Sequence, residues 1–248
     1  MLTEQRYEMI LALLKEKKSV TVTEITDLLG ISESTARRDI NALSSAGRLK
    51  KVFGGAVLRD SAHVTQEPTV AQKENLHREE KLLIARRAAN MIEDSDMVYL
   101  DAGTTTGGMI EFLAEKKSLF VTNAVAHAQR LAKQGNRVLL VGGELKGSTE
   151  AVIGAQAMEM LLRYHFTKGF FGVNGVTRTA GFTTPDAGEA SVKRTAVQQC
   201  EEKYFLADST KFGAVSAVTF APYGAGKIIT EQAADGYGEE KDLILCRQ

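Results

Sequence analysis

Cysteine is scarce in this sequence, and no hydrophobic run approaches the roughly 18–20 residues that a membrane-spanning helix requires. The two cysteines, Cys200 and Cys246, stand far apart, so their spacing fits neither a metal site nor a disulfide framework. The N-terminus also lacks the basic and then apolar segment of a secretory signal. These absences argue against a membrane protein or a disulfide-stabilised protein, and they predict a protein of the reducing cytoplasm.

The sequence also lacks histidines spaced as metal ligands, and its formal net charge is zero. Four histidines are scattered along the chain: His63, His77, His127 and His165. No pair has the spacing of metal ligands, so we interpret them as surface or packing residues and predict neither a metal nor a cofactor. The 31 Lys and Arg balance 31 Asp and Glu. A length of 248 residues, 44% of them hydrophobic and 25% charged, is typical of a globular protein with one large domain or two ordinary ones.

The N-terminal part contains helix-forming segments that precede a turn. Residues 4–18 and 21–29 both have apolar side chains at helical spacing. Thr21 or Thr23 can cap the second segment, and Gly30 can end it. A short helix followed by a glycine turn and another helix predicts a helix-turn-helix. In the short helix, the side chains that we expect to face the core are Ile25, Leu28 and Leu29.

The helix after this turn carries the residues typical of a recognition helix. Ser32 is a suitable N-cap, and Ala36, Ile40 and Leu43 fall on one buried stripe. Hydroxyls near the helix start, with arginines one turn later, suit a helix that enters the major groove. An ordinary solvated helix face is the alternative, which the preceding short helix disfavours. The DNA contacts predicted from this helix are Ser32, Ser34, Thr35, Arg37, Arg38 and Asn41.

A basic hairpin is predicted beyond the recognition helix, whose C-cap we place at Gly47. Gly54 and Gly55 separate two short apolar runs, which is a hairpin signal. Residues 32–59 contain six Lys or Arg against two Asp or Glu, an excess of four positive charges. Such a basic patch predicts a double-stranded DNA operator as partner. The lysines expected to touch phosphates through this wing are Lys50 and Lys51.

A polar segment with one proline, residues 60–69, shows neither helical nor strand periodicity. We interpret it as a linker between a DNA-binding domain of residues 1–59 and a second domain of residues 70–248. Residues 70–93 then have the apolar spacing of a helix. This helix could cover the second domain or help to pair two subunits.

Short continuous apolar runs alternate with helical segments from residue 96 onward. Runs of this kind are typical of strands covered on both faces, so we predict an α/β fold with a mostly parallel sheet. The predicted strands are residues 97–100, 119–121, 138–141, 169–172, 204–207, 227–229 and 243–245. The predicted helices are residues 104–116, 124–134, 156–164 and 188–201.

Glycines and polar residues follow each of the first five strands, where ligands bind in open α/β sheets. After the first strand, Gly103 allows close backbone approach, and residues 104–106 offer hydroxyls and N–H groups to an anion. This loop is neither a Walker A motif nor a dinucleotide motif, and alone it fits a plain capped turn equally well. The predicted effector-binding residues are Asp101, Gly103, Thr104, Thr105, Thr106, Thr122, Asn123, Gly142, Gly143, Asn174, Glu189, Lys193, Asp208 and Lys211.

Two of these assignments have simpler alternatives. Lys211 could be a solvated surface lysine rather than a phosphate ligand, which is the commoner fate of a lysine. Glu189 and Lys193 could form no more than a pair four residues apart on a helix.

Three motifs of the N-terminal part resemble the DeoR family of bacterial transcriptional regulators. They are Arg6-x-x-x-Ile10-x-x-x-Leu14, Ser32-x-x-Thr35-Ala36-Arg37-Arg38-Asp39-Ile40, and the run from Val52 to Ala56. Ala36 departs from the pattern, because a larger aliphatic residue is usual there. The second domain resembles the family's effector domain, whose fold is similar to ribose-5-phosphate isomerase. Residues 101–106 match its phosphate loop, and its other pocket positions match Asn123, Gly142, Gly143, Glu189 and residues 208–211. Asn174 stands where the family frequently has Asp.

The resemblance implies a homo-oligomeric regulator, dimer or tetramer, in which a phosphorylated sugar controls the repression of sugar-catabolic genes. Residues 182–186, with Glu189 and Lys193 after them, are most similar to members that answer to ketohexose phosphates such as fructose 1-phosphate.

Two other functions are weighed against this one. A sugar-phosphate isomerase with an accessory DNA-binding domain would need a carboxylate that moves a proton between adjacent carbons. Enzymes of the similar fold carry an acid-rich turn after the fourth strand, whereas residues 174–179 contain no carboxylate. We therefore predict no catalytic residues and no enzyme activity. A helix-turn-helix used only for protein contacts is disfavoured by the basic recognition helix and wing.

Overall fold

The structure, a computed structural model, describes residues 3–17, 19–46, 48–52, 54–57, 62–64, 70–234, 236–237 and 241–246. The chain divides into two compact units, Met1–Ala62 and His63–Gln248. The predicted C-cap Gly47, the side chain of Lys50 and most of the predicted linker lie outside the described residues. Among the described helices, none combines the length and the apolar character that crossing a membrane would require.

The first unit is a winged helix-turn-helix, as predicted. Its elements are α1 (Thr3–Lys17), β1 (Ser19–Thr21), α2 (Val22–Leu29), α3 (Glu33–Ser45), β2 (Lys50–Val52) and β3 (Gly55–Val57). The strands form an antiparallel sheet in the order β1-β3-β2, and Gly54, at φ +80°, lies in the turn between β2 and β3. Strand β1 was not predicted. The predicted stripe of Ala36, Ile40 and Leu43 is buried in the core of this unit.

Helix α2 begins and ends where the sequence indicates. Thr21 and Glu24 form a reciprocal capping box, in which Glu24 N–H donates to Thr21 Oγ1 at 3.1 Å and Thr21 N–H donates to Glu24 Oε2 at 2.8 Å. Gly30 ends the helix at φ +61°, a conformation that favours glycine. The inward placement of Leu28 is wrong. This side chain is 53% exposed, because the buried stripe runs through Val22, Ile25 and Leu29 and leaves Leu28 beyond its edge.

The remaining elements run from residue 62 to residue 245. In chain order they are β4 (Ala62–Val64), α4 (Val70–Glu74), α5 (Arg78–Ala89), β5 (Met97–Leu100), α6 (Thr104–Met109), β6 (Leu119–Thr122), α7 (Val125–Lys133), β7 (Arg137–Leu140), β8 (Glu144–Lys146), β9 (Ala151–Ile153), α8 (Ala155–Leu161), β10 (Phe166–Gly172), β11 (Gly175–Thr177), β12 (Gly181–Thr184), α9 (Ala187–Gln198), β13 (Cys200–Leu206), β14 (Val215–Ser216), β15 (Val218–Ala221), β16 (Lys227–Thr230) and β17 (Leu243–Leu245). Two short 3-10 helices, Ile110–Phe112 and Ser209–Lys211, accompany them.

The second unit is built on a seven-stranded sheet whose strands are the seven predicted apolar runs. Its order is β17-β16-β13-β10-β5-β6-β7, and every neighbouring pair is parallel. Helices α5, α6 and α7 pack on one face, together with Val98 and Leu100 of β5. Helices α8 and α9 pack on the other face, together with Tyr99. The fold is therefore α/β with a parallel sheet covered on both sides.

Several local features differ from the sequence-based expectation. The predicted helix over residues 70–93 is broken into α4 and α5, with His77 at φ +54° between them. Helix α6 ends at Met109 and continues only as a 3-10 turn, short of the predicted residue 116. The β8–β9 hairpin and an antiparallel sheet in the order β11-β12-β15 were not predicted. Residues 62–64, inside the predicted linker, form a strand.

Candidate functional site

The start of α3 carries a cluster of hydroxyls. Ser32 caps the helix by accepting from Thr35 N–H at 3.3 Å. Its Oγ also lies 2.9 Å from Ser34 Oγ and 2.9 Å from Thr35 Oγ1. Since Ser32 and Ser34 are exposed, these hydroxyls can exchange their mutual hydrogen bonds for phosphate oxygens.

The basic residues of α3 and the wing differ in their partners. Arg37 pairs with Glu33 one turn earlier, with 3.3 Å between Nη2 and Oε2. Arg38 is exposed and makes no hydrogen bond or ion pair with any described residue. Lys51 on β2 donates to Asn41 Oδ1 at 2.7 Å, which ties the wing to the recognition helix. A cation and an amide on adjoining elements form one polar surface suited to a DNA backbone.

A buried ion pair that the sequence analysis missed holds α3 against α1. Arg6 Nε donates to Asp39 Oδ2 at 2.7 Å, and Nη2 donates to Oδ1 at 3.1 Å. Asp39 is 1% exposed although it lies between polar neighbours in the sequence. The hydrogen bond to Asp39 raises the pKa of Arg6. The pair fixes the orientation of the recognition helix in the first unit.

In the second unit, a buried charge pair joins β5 to α9. Asp101 follows β5 directly, and its Oδ2 accepts from Lys193 Nζ and, at 3.0 Å, from the N–H of Gly172. Lys193 also donates to the Gly172 carbonyl at 3.2 Å. Burial raises the pKa of the Asp101 carboxyl above its ordinary value, and the nearby Lys193 ammonium opposes this rise. Both side chains are buried, as polar residues at a ligand site often are.

Glu189, one turn before Lys193 on α9, is also buried and paired. Its Oε1 accepts from Lys146 Nζ at 2.9 Å and from Thr149 Oγ1 at 2.6 Å. Lys146 in addition lies 3.2 Å from Asp186 Oδ2, the N-cap of α9. The sequence analysis missed Lys146 and Thr149, which the unpredicted β8–β9 hairpin brings to the site. The alternative of a simple Glu189–Lys193 pair does not hold, because Glu189 contacts Lys146 and Lys193 contacts Asp101.

Three of the predicted effector residues have side chains committed to internal hydrogen bonds. Thr106 Oγ1 donates to the Asp101 carbonyl at 2.7 Å. Thr122 Oγ1 accepts from Ala124 N–H at 3.1 Å. Asn123 Oδ1 accepts from Tyr99 Oη at 3.0 Å and from the N–H of Ala102 at 3.1 Å. These side chains hold the loops at the strand ends in place, and within the described chain Thr104 and Thr105 keep unpaired hydroxyls.

A cationic cluster lies at the carboxyl end of β13. Lys211 Nζ is 3.6 Å from Asp208 Oδ2, and Asp208 also caps the short turn by accepting from Thr210 N–H at 3.1 Å. Lys81 of α5, which the sequence analysis missed, lies near the Lys211 ammonium and the Asp208 carboxylate. Burial and the neighbouring Lys211 ammonium lower the pKa of Lys81. A half-buried lysine whose pKa is lowered by a neighbouring ammonium marks a place where an anion would be stabilised.

The packing of α5 on α6 places this cluster beside the threonine loop. A Cβ added to Gly108 would lie 3.3 Å from Ala85 Cβ. Lys81 lies one turn before Ala85 on α5, and Thr104 lies one turn before Gly108 on α6. Both helices begin at the carboxyl edge of the sheet, so Lys81 and Thr104 lie at the same height above that edge.

Three other predicted residues have different surroundings. Gly142 and Gly143 line a cleft of about 300 Å³ against α8, whose other walls are Gln156, Glu159, Met160 and Arg163. Asn174 Oδ1 accepts from Thr184 Oγ1 at 3.2 Å. The structure thus brings Asp101, Lys193 and Glu189 into one buried cluster, and it places Gly142 and Gly143 in the cleft against α8.

His127, read from the sequence as a surface or packing residue, is buried beside the threonine loop. A Cβ on Gly107 would lie 2.7 Å from its Nε2, so glycine is required there. Its Nδ1 is the one enclosed side-chain nitrogen or oxygen without a partner among the residues described. Burial, reinforced by Arg130, lowers the pKa of His127 to about 4. Within the same residues, no group of three or more His, Cys, Asp and Glu is placed to hold a metal ion.

Each of the two units matches a known family of protein domains. Residues 6–62 match the model of a DeoR-like helix-turn-helix domain, and residues 76–232 match that of the DeoR C terminal sensor domain. The chain is 40% identical over 249 residues to the uncharacterized HTH-type transcriptional regulator FruR of Bacillus subtilis, covering 98% of each chain. It is 35% identical over 211 residues to a lactose phosphotransferase system repressor of Staphylococcus epidermidis, covering 84% of this chain and 83% of the repressor.

Among solved structures, ribose 5-phosphate isomerase A from Methanocaldococcus jannaschii matches 54% of each chain, at a TM-score of 0.42 and 15% identity. The family matches cover both units and the relatives span nearly the whole chain, so this chain belongs to the DeoR family of transcriptional regulators.

Proposed function

We propose that this protein is a repressor of sugar-catabolic genes whose operator affinity is controlled by a phosphorylated sugar bound in its second unit. The DNA-reading part would consist of α3 and the wing, with Arg38 and Lys51 as its principal cations. The observation that carries the effector half is the buried Asp101–Lys193 pair at the strand ends, flanked by Glu189 on one face and by Lys81 and Lys211 on the other. Such a cluster suits a ligand with an anionic end and a hydroxylated end.

The phosphate would bind between the cations and the threonine loop. Lys81 and Lys211 supply two ammonium groups, and Thr104 and Thr105 supply free hydroxyls at the start of α6. A neutral sugar would leave Lys81 and Lys211 with no anion beyond the Asp208 carboxylate, and it would leave the Thr105 hydroxyl unpaired. An unpaired buried donor costs about 1–3 kcal/mol, so the phosphate should bind about 5- to 150-fold more tightly than the free sugar.

A ketohexose phosphate such as fructose 1-phosphate is our proposed effector. Residues 182–186, with Glu189 and Lys193 after them, support this choice, as does the name of the relative FruR. The relative named for the lactose phosphotransferase system supports a role in sugar metabolism more broadly.

We further propose that the protein has no isomerase activity. Residues 174–179, which pass through β11, contain no carboxylate, and Glu189 is held by Lys146 and Thr149. A carboxylate that accepts two hydrogen bonds at one oxygen is a poor base for carbon-bound protons. Relatives described as transcriptional regulators and repressors support the same conclusion.

The regulator is proposed to act as a homo-oligomer, with paired recognition helices on repeated half-sites. A bound sugar phosphate would favour the conformation to which it binds more tightly, and it would shift operator affinity only through that difference.

Titration calorimetry with fructose 1-phosphate and fructose tests the proposal that a phosphorylated sugar binds in the second unit. We expect the phosphate to bind at least about tenfold more tightly than the sugar. Lys81→Met and Lys211→Met should each weaken the phosphate and leave the free sugar nearly unchanged. The matched control is Lys133→Met, since Lys133 is an exposed lysine of α7. Equal affinity for the sugar and its phosphate would refute the proposed effector class.

A further inference from the structure

The β8–β9 hairpin closes the site on the face of the sheet that carries α9. Lys146 and Thr149 of the hairpin both donate to Glu189 Oε1, at 2.9 Å and 2.6 Å. The other side of the hairpin is held by Asn123, whose Nδ2 donates to the Val152 carbonyl at 3.1 Å. The hairpin is thus fastened at both ends across the strand ends, and it positions the Glu189 carboxylate.

Two buried carboxylates here each keep one oxygen free. Glu189 accepts both of its hydrogen bonds at Oε1, and Asp101 accepts both of its bonds at Oδ2. Neither Glu189 Oε2 nor Asp101 Oδ1 accepts a hydrogen bond from another described residue. Acceptor oxygens without a donor on buried side chains suit donors such as sugar hydroxyls.

Carboxylates outnumber cations in this region. Its carboxylates are Asp101, Asp186 and Glu189, and its cations are Lys146 and Lys193. The net charge is therefore one negative, and each of the two lysines already has a carboxylate partner. On the other face of the sheet, Lys81 lies near the Lys211 ammonium, and Lys211 Nζ is 3.6 Å from Asp208 Oδ2. The site thus has one cationic end and one acidic end.

We propose that the effector is a sugar monophosphate whose hydroxylated end lies against Glu189 and Asp101, and that this acidic end rejects sugar bisphosphates. Lys146 and Thr149 act as positioning residues, because they hold Glu189 with one oxygen turned to the ligand. The inference rests on the proposed function, since it assumes that the phosphate occupies the end with Lys81 and Lys211.

The physical reason for rejection is the cost of placing like charges together in a site that excludes most water. A second phosphate beside Glu189 would face a carboxylate whose cations are already engaged. Such a juxtaposition should weaken the bisphosphate by about tenfold or more relative to the monophosphate. Sugar hydroxyls, in contrast, would donate to the free oxygens of Glu189 and Asp101 without introducing charge.

Calorimetric titration of the full chain with matched ligands tests this inference. The ligands are fructose 1-phosphate, fructose 6-phosphate and tagatose 6-phosphate, with fructose 1,6-bisphosphate and tagatose 1,6-bisphosphate. We expect at least one monophosphate to bind at least about tenfold more tightly than its bisphosphate. If each bisphosphate binds as tightly as the tightest monophosphate of the same sugar, the inference is overturned and the proposed function remains intact. A wild-type protein that binds none of these ligands would overturn the proposed function, and this inference with it.

Variants separate charge from simple structural damage. Glu189→Gln and Asp186→Asn each remove one negative charge with little change of shape. The preference, which is the ratio of the bisphosphate Kd to the monophosphate Kd, should therefore fall toward one. Asp186→Asn keeps an N-cap for α9 and therefore serves where Glu189→Gln fails to fold. Lys146→Met should enlarge the preference, because it leaves the region more acidic.

The control is Lys227→Met, which removes a lysine that pairs with Glu202 at 3.5 Å at the start of β16. It should leave both affinities unchanged. A preference that is the same in wild type, Glu189→Gln, Asp186→Asn and Lys146→Met would overturn the inference.

Discussion

Arg38 offers the sharpest test of the DNA-reading surface, because it differs from Arg37 in one respect. Arg37 is held by Glu33 at 3.3 Å, whereas Arg38 has no partner within the described residues. An arginine that grips a base bidentately contributes about 1–3 kcal/mol, or about 5- to 150-fold in affinity. Arg38→Ala should therefore weaken operator binding by this factor. Arg37→Ala should cost less, because Arg37 must first give up an exposed pair that is worth about 0.3–0.5 kcal/mol.

Glu33→Gln extends the same reasoning in the opposite direction. It frees Arg37 and removes a negative charge from the surface that meets phosphates, so operator affinity should rise by about a few-fold. The assay is fluorescence anisotropy at one fixed salt concentration, on a duplex that the wild-type protein selects from random sequences. Arg130→Ala, at an exposed arginine of α7 in the second unit, is the matched control. Unchanged affinity in a folded Arg38→Ala protein would refute the assignment of α3 as the recognition helix.

Two further predictions concern the wing and the second unit. Lys51→Met should weaken binding to all duplexes alike and reduce the slope of log affinity against log salt by about one, measured by the same anisotropy titrations. His127 has a pKa of about 4 when folded and an ordinary value of 6.5, so the unfolded chain binds a proton that the native state does not between these pH values. The free energy of unfolding should therefore fall by about 3 kcal/mol as pH drops from 6.5 to 4. Urea unfolding at both pH values should show that His127→Gln lacks this contribution to the fall.

The central sheet could be predicted because its inner strands, such as β5 and β6, are buried, and its edge strands β7 and β17 are also apolar runs. Each appears in the sequence as a short continuous apolar run, such as Met97–Leu100, and all seven predicted runs are strands of the sheet. The β8–β9 hairpin could not be predicted in this way. Glu144 and Leu145 are exposed on its first strand, so it has neither a continuous run nor a clean alternation. Strand β1 has only three residues, too few for a period to be seen.

Some site residues have a local signal in the sequence, whereas others depend on how distant segments pack. Asp101 could be named because it directly follows a strand, at a position where ligands bind. Glu189 and Lys193 could be named because they lie in the first two turns of a helix that follows a polar loop. Lys81 could not, since its place beside Lys211 depends on the packing of α5 against β13 and β16 of the sheet. Arg6 and Asp39 are 33 residues apart, and no local pattern links them. Asn123 was named as a ligand residue, but its side chain is spent on Tyr99, Ala102 and Val152.

The central claim is that one ligand, bound at the strand ends of the second unit, changes the affinity of α3 for DNA. Linkage requires that change to be reciprocal. The measurement is the affinity of the operator duplex with and without saturating fructose 1-phosphate, together with the affinity of fructose 1-phosphate with and without saturating duplex. We predict that both affinities change by the same factor, about 5- to 150-fold. A sugar phosphate that binds the protein but leaves the operator affinity unchanged would contradict the account.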